Sequence, residues 1–167
     1  RKVRDTDGDI GALAHYLILC HLKGEPPDTS EYSAQDIDKA ETCLLKFGEW
    51  ENLHPFKVIL AEQPLVSEKY GCGGTVDCLA GMGGSLEGVL LDFKTGKAIY
   101  PEMFYQLAAY RILLLENGFP ANSARILRIG RDENEGFEER VADNLDRAWE
   151  IFRHCLAIYN LRKEKEE

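Results

Sequence analysis

The sequence predicts an α/β or α+β domain in which a mixed central β-sheet is flanked by helices. Two amphipathic helical segments come first, and three strand-like runs with glycine-rich turns follow them. A helix, a further strand and a long helix complete the chain. The predicted order is therefore ααβββαβα, which suits helices packed on a mixed sheet.

The two N-terminal helices are predicted from the spacing of apolar residues. The first runs from about Asp9 to Lys23, and Gly24 and Pro26 end it. The second runs from about Ala34 to Glu51, and Ser33 is expected to cap its N-terminus.

The remaining elements are predicted from runs of apolar residues bounded by glycine and proline. In chain order they are strands at Phe56–Val66, Gly71–Ala80 and Leu86–Lys94, a helix at Pro101–Asn117, a strand at Ser123–Ile129 and a helix at Gly136–Lys163. The glycines of Gly81–Gly84 indicate a hairpin turn between the second and third strands.

Length and composition indicate one globular domain over residues 1–167, with a charged and frayed tail at residues 162–167. The chain opens with Arg1 and lacks a starting Met, which leaves open that the natural N-terminus is incomplete. No apolar run is long enough to span a membrane, and residues 1–10 do not resemble a signal peptide. We expect a cytoplasmic protein without membrane contact, in the host cytoplasm if the protein is viral.

Cysteine content and net charge narrow the class of function. The five cysteines are scattered and form no C-x-x-C pair, which argues against a zinc ribbon or an iron–sulfur cluster and favours a reducing cytosol. A net charge of −9 argues against a dedicated high-affinity DNA-binding protein. It does not exclude a nuclease, because a metal site concentrates acidic residues.

The most informative motifs lie in the second predicted strand and at the end of the third. Gly74-Thr75-Val76-Asp77 ends on an acid, and Asp92-Phe93-Lys94 begins fifteen residues after Asp77. Because side chains alternate along a strand, Asp92 and Lys94 are expected to share a face, which Asp77 joins if the two strands are neighbours. Two carboxylates and an ammonium on one half-buried face suit a divalent cation and an activated water. A surface salt-bridge cluster is the alternative.

Further motifs lie before and after this pair. Gln106 and Tyr110 are four residues apart on the predicted helix at Pro101–Asn117 and therefore share a helix face, although an ordinary polar face would look the same. Upstream are the G-x-x-x-H segment Gly11-Ala12-Leu13-Ala14-His15 and the acid Glu62. The order of these motifs resembles the RecB-like branch of the PD-(D/E)XK nuclease superfamily, which includes lambda-exonuclease-like enzymes.

The resemblance implies a restriction-endonuclease-like core and a role for each matched residue. Asp77 and Asp92 would be the carboxylate ligands of Mg²⁺ or Mn²⁺, with His15 and the backbone carbonyl of Phe93 as further ligands. Lys94 would be the catalytic lysine, which serves the attacking water and the transition state. The residues implied on the substrate side are Gln106, Tyr110 and Glu62. The alternative for His15 is a structural histidine on a helix face, with its hydrogen bonds satisfied and no role as a metal ligand.

These implications predict a metal-dependent deoxyribonuclease, in particular an exonuclease of DNA recombination, repair or phage DNA processing. Two alternatives stay open: a structure-selective endonuclease such as a junction resolvase, and an inactive DNA-binding or scaffold module of the same fold. The expected partner is DNA, bound weakly without metal because of the acidic net charge. A protein partner or a homo-oligomer is left open.

Overall fold

The computed structural model describes residues 6–84 and 88–164 of the chain. The elements found there are α1 (Thr6–Lys23), α2 (Ala34–Leu53), β1 (Phe56–Ser67), β2 (Cys72–Met82), β3 (Gly88–Thr95), α3 (Pro101–Glu116), β4 (Ala121–Ile129), β5 (Phe137–Val141) and α4 (Leu145–Lys163). The predicted fold class is confirmed: the protein is α+β, with a mixed five-stranded sheet flanked by helices, an architecture consistent with a restriction-endonuclease-like fold.

The strands lie side by side in chain order, β1-β2-β3-β4-β5. Neighbouring strands run antiparallel except β3 and β4, which are parallel. A parallel pair needs a crossover connection, and α3 provides it. The last residues of β3 and the first turns of α3 therefore come close together at one end of the sheet.

Two apolar clusters hold the helices on opposite faces of the sheet. One cluster joins α1 and α2 to the sheet, and the fully buried Leu13, Phe47 and Phe93 belong to it. The other joins α3 and α4 to the opposite face, around residues such as Leu90 and Leu107. A half-buried sheet face would expose apolar strand residues to water, so the helix pairs on both faces account for the continuous burial of β3.

Several predicted details are confirmed. The Ser33 hydroxyl accepts a hydrogen bond of 3.2 Å from the backbone amide of Asp36 and so caps α2. Pro101 is the first residue of α3, a position where its missing amide proton has no cost. Gly83 and Gly84 have positive φ angles of 64° and 73°, as a turn after β2 requires. Leu86 and the rest of that turn lie outside the described residues.

The segment after β4 corrects the prediction. The predicted helix at Gly136–Lys163 is wrong in its first part, because residues Phe137–Val141 form β5 and α4 begins only at Leu145. The observed order is therefore ααβββαββα. Phe137 and Val141 are four residues apart, which fits a helix equally well, but each residue of β5 pairs with a residue of β4.

Side-chain contacts and a cap explain why this segment is a strand. Glu139 of β5 accepts hydrogen bonds of 2.7 Å from Trp50 on α2 and from Arg125 on β4. Asn144 then adopts a left-handed conformation and accepts a hydrogen bond from the amide of Arg147, which starts α4.

Within the described ranges, none of the helices combines the length and the apolar character that a membrane span requires.

Candidate active site

The two predicted acids lie where β2 and β3 part. The strands pair through Ala80 and Val89, then Leu79 and Leu90, and the last pair before the acids is Cys78 opposite Leu91. Asp77 and Asp92 are the next residues on each strand.

The side chain of Asp77 accepts a hydrogen bond from the main chain of β3 where the two strands separate. Its carboxylate atom Oδ2 accepts a hydrogen bond of 2.9 Å from the backbone amide of Phe93. The other oxygen, Oδ1, accepts one of 3.0 Å from Nε2 of His15 on α1. The side chain of Asp77 is only 10% exposed. This hydrogen bond to the Asp77 carboxylate raises the pKa of His15 above its ordinary value, although burial of the ring acts in the opposite direction.

A close helix–strand contact brings His15 to this position. The Thr95 hydroxyl at the end of β3 donates a hydrogen bond of 3.1 Å to the backbone carbonyl of Gly11 on α1. A Cβ atom added at Gly11 would lie 2.7 Å from that hydroxyl oxygen, so the absence of a side chain lets α1 approach β3. His15 follows one turn later on the same helix face. Sequence reasoning missed Thr95, because a threonine at a strand end carries no distinguishing signal.

Asp92 is the most buried acid of the site. It is 2% exposed, and its Oδ2 atom lies 2.9 Å from Nζ of Lys94 in an ion pair. Apart from this ion pair, the buried Oδ2 has no polar partner among the described residues. Burial raises the pKa of Asp92 to about 6, the negative charge of Asp77 adds to this effect, and Lys94 opposes it.

Lys94 is held by a chain of hydrogen bonds that starts on α3. Its Nζ donates to Oε1 of Gln106 over 2.8 Å, and Nε2 of Gln106 donates to the Tyr110 hydroxyl over 2.9 Å. Burial raises the pKa of Tyr110 to about 12, and the charges of Asp92 and Asp77 add to it, so the phenol stays neutral. The expected common face of Asp92 and Lys94, and that of Gln106 and Tyr110, are both present.

Glu62 does not join this network. Residues on either side of it pair with residues on either side of Asp77, so Glu62 lies across β1–β2 from that acid. Its backbone is left-handed, with φ of 49°, and its 43% exposed side chain forms an ion pair of 2.5 Å with Lys23. The carboxylate is thus engaged with α1, and its implied substrate-side role stays a prediction.

The site offers two carboxylates to a divalent cation. Among the described residues, no three His, Cys, Asp or Glu side chains are arranged to hold a metal ion together. Mg²⁺, however, is commonly bound by one or two carboxylates, with water completing the shell. Asp77 and Asp92 supply that number, and the buried Oδ2 of Asp92 has Lys94 as its one polar partner among the described residues. In number and kind the pair matches the ligands that Mg²⁺ and Mn²⁺ take, and cation binding stays a prediction, as does ligation by His15 and by the Phe93 carbonyl.

Comparison with known proteins gives support at the level of the fold. No protein-family model matches the sequence, and no curated protein matches it. Among solved structures, the chain is similar to a candidate exonuclease from Eubacterium rectale, with a TM-score of 0.61 and 10% sequence identity over 92% of this chain. The chain covers 65% of the length of that protein. At this identity the similarity shows a common fold.

Proposed function

We propose that this chain hydrolyses phosphodiester bonds of DNA with the help of Mg²⁺ or Mn²⁺ and that it acts as an exonuclease. The observation that carries the proposal is the convergence of Asp77, Asp92 and Lys94 where two strands part, with the Asp92 carboxylate buried and its Oδ2 atom in contact with Lys94 alone. The fold shared with a candidate exonuclease supports it. A surface salt-bridge cluster would not bury Asp92 at 2% exposure.

The two acids share one task in this proposal, and neighbouring groups fix the orientation of Asp77. Asp77 and Asp92 would hold the cation, and its bound form would supply Lewis acidity and an activated water at neutral pH. His15 orients the Asp77 carboxylate through its hydrogen bond. The amide of Phe93 fixes the other oxygen of the same carboxylate, so Asp77 points in one direction before substrate arrives.

Lys94 provides the positive charge that the reaction needs. As the water attacks phosphorus, negative charge develops on the phosphoryl oxygens, and a fixed ammonium beside them lowers the energy of the transition state. Gln106 keeps the ammonium beside Asp92. An ammonium can only donate hydrogen bonds, so Lys94 would orient the attacking water and offset charge, while solvent would take the proton that the water loses and protonate the leaving oxygen.

DNA binding is expected to depend on the cation. Two ionised acids at the site would repel a phosphate, and the net charge of −9 gives little general attraction. A cation between Asp77 and Asp92 removes this local repulsion. Binding without metal should therefore be weak at physiological salt, and a tight metal-free complex would contradict this part of the proposal.

The proposal is tested by cleavage of end-labelled linear duplex DNA and of closed circular DNA with Mg²⁺, Mn²⁺ or excess EDTA. We expect loss of terminal nucleotides from linear DNA with either cation, no cleavage in EDTA, and intact circles. Asp92→Asn should abolish cleavage, and Asp146→Asn, at an exposed acid on α4, serves as the matched control. Cut circles would favour the endonuclease alternative, and no cleavage with either cation would favour the inactive scaffold.

A further inference from the structure

Gly74 on β2 lies directly against the ring of Tyr110 on α3. A Cβ atom added at Gly74 would lie 2.7 Å from Cε1 of the tyrosine ring, and 3.5 Å and 3.6 Å from Cδ1 and Cζ. A separation of 2.7 Å is shorter than van der Waals contact allows, so any larger residue would displace the ring. Unlike Gly71, with φ of 65°, Gly74 is not among the residues with positive φ. The position therefore requires the absence of a side chain rather than the backbone freedom of glycine.

The position of the Tyr110 ring determines the direction of the chain that ends at Lys94. The Lys94 ammonium can only donate, so it requires the oxygen end of the Gln106 amide, at 2.8 Å. The nitrogen end of the amide then needs an acceptor, and the Tyr110 hydroxyl is that acceptor at 2.9 Å. Gln106 is exposed, so these two partners are what fix its amide.

We propose that Gly74 is a positioning residue for Lys94. By leaving room for the Tyr110 ring, it sets the Gln106 amide and thereby places the ammonium 2.9 Å from Asp92. In this view, Gln106 and Tyr110 serve first to hold Lys94, and contact with DNA is not their main task. The inference rests on the proposed function, because it takes Lys94 to be the group that serves the reaction.

The kinetic test is a double-mutant cycle with Gly74→Ala and Tyr110→Leu, measured as kcat and KM on linear DNA. Each single variant should lower kcat about 10- to 100-fold with little change in KM, because a displacement of about 1 Å near the reacting atoms can cost about 100-fold. The double variant should match Tyr110→Leu alone, since the added methyl group then has no ring to displace. Additive losses in kcat, or a rise in KM at constant kcat, would overturn the inference.

Gly48→Ala is the matched control. Gly48 lies in α2, has no atom within 4 Å of an added Cβ and is not among the residues with positive φ, so this variant should keep wild-type kcat. A loss of kcat in Gly48→Ala as large as that in Gly74→Ala would show that the effect is not specific to the Tyr110 contact and would overturn the inference.

A second readout separates this inference from the proposed function. Urea unfolding midpoints in EDTA need no catalysis, and Gly74→Ala should lower the midpoint in the wild-type background but leave it unchanged in the Tyr110→Leu background. If the wild-type protein does not cleave DNA but the midpoints show this coupling, the proposed function fails and the contact between Gly74 and Tyr110 stands. Equal midpoint losses in both backgrounds would overturn the inference itself.

Discussion

Replacing Asp92 by Asn should stabilise the metal-free protein at neutral pH, although it should also abolish cleavage. The carboxylate is 2% exposed, and burial raises its pKa to about 6 from the ordinary value of 3.8. At about 1.4 kcal/mol for each pH unit, this difference makes ionised Asp92 destabilising by roughly 3 kcal/mol, with the attraction of Lys94 already included. An amide of nearly the same shape does not ionise and avoids this cost.

The sign of the effect follows from which state of the chain holds the proton. Below about pH 4 the side chain is neutral in both the folded and the unfolded chain, so Asp and Asn should differ little. Between about pH 4 and the folded pKa of about 6, the unfolded chain loses its proton first, and the stability of the wild-type protein falls as the pH rises. The advantage of Asp92→Asn should thus appear over this window and stay constant above it.

Urea or thermal unfolding in EDTA at pH 4 and pH 7.5 measures this effect. A chain of this size gains about 2–4 °C in Tm for each kcal/mol, so Asp92→Asn should unfold about 6–12 °C higher than wild type at pH 7.5. Asp146→Asn, at the exposed control position, should show no such gain. The reasoning is refuted if Asp92→Asn is not more stable at pH 7.5, or if it gains as much at pH 4.

Three further predictions concern single residues. Lys94→Ala should lower kcat by about 10²–10³, because a preorganised charge is lost, and keep its affinity for Mn²⁺ in calorimetry; near wild-type turnover would remove the lysine from the mechanism. Glu62→Gln should keep kcat within about twofold, because the carboxylate is paired with Lys23; a steep loss in kcat would place it in the site. Gly11→Ala should weaken Mn²⁺ binding, because a Cβ 2.7 Å from the Thr95 hydroxyl pushes α1 and His15 away; unchanged affinity in calorimetry would contradict this.

Local patterns predicted most of the fold. Apolar spacing, the Ser33 cap and Pro101 mark elements whose signals lie within a few residues of one another, and the structure has them within a few residues of the expected bounds. The strand at Phe137–Val141 could not be predicted in this way. Its strand conformation depends on the edge of β4 and on contacts of Glu139 with residues far away in sequence, which a local pattern does not contain.

The candidate site likewise combines features that local sequence patterns predict with a contact that they do not predict. The common face of Asp92 and Lys94 follows from the alternation of side chains in a strand, and that of Gln106 and Tyr110 follows from helix geometry. The contact between His15 and Asp77 joins residues 62 apart in sequence, and only the resemblance to a nuclease family indicated it.

Two features of the site had no signal in the sequence. The left-handed backbone of Glu62 was not foreseeable, because glutamate seldom adopts this conformation. The close approaches at Gly11 and Gly74 depend on the packing of helices against strands, which the identity of a glycine does not reveal.

The hydrogen bond from the Phe93 amide to Asp77 decides how a substrate-trapping form of this chain should be made. Phe93 is 1% exposed, so Asp77→Ala would leave its buried amide without an acceptor, at a cost of about 1–3 kcal/mol in folding free energy. The same substitution also takes away the partner of His15. Asp92 accepts no such backbone bond at Oδ2. A trap intended to hold uncut DNA for crystallisation or pull-down should therefore carry Asp92→Asn and leave Asp77 intact.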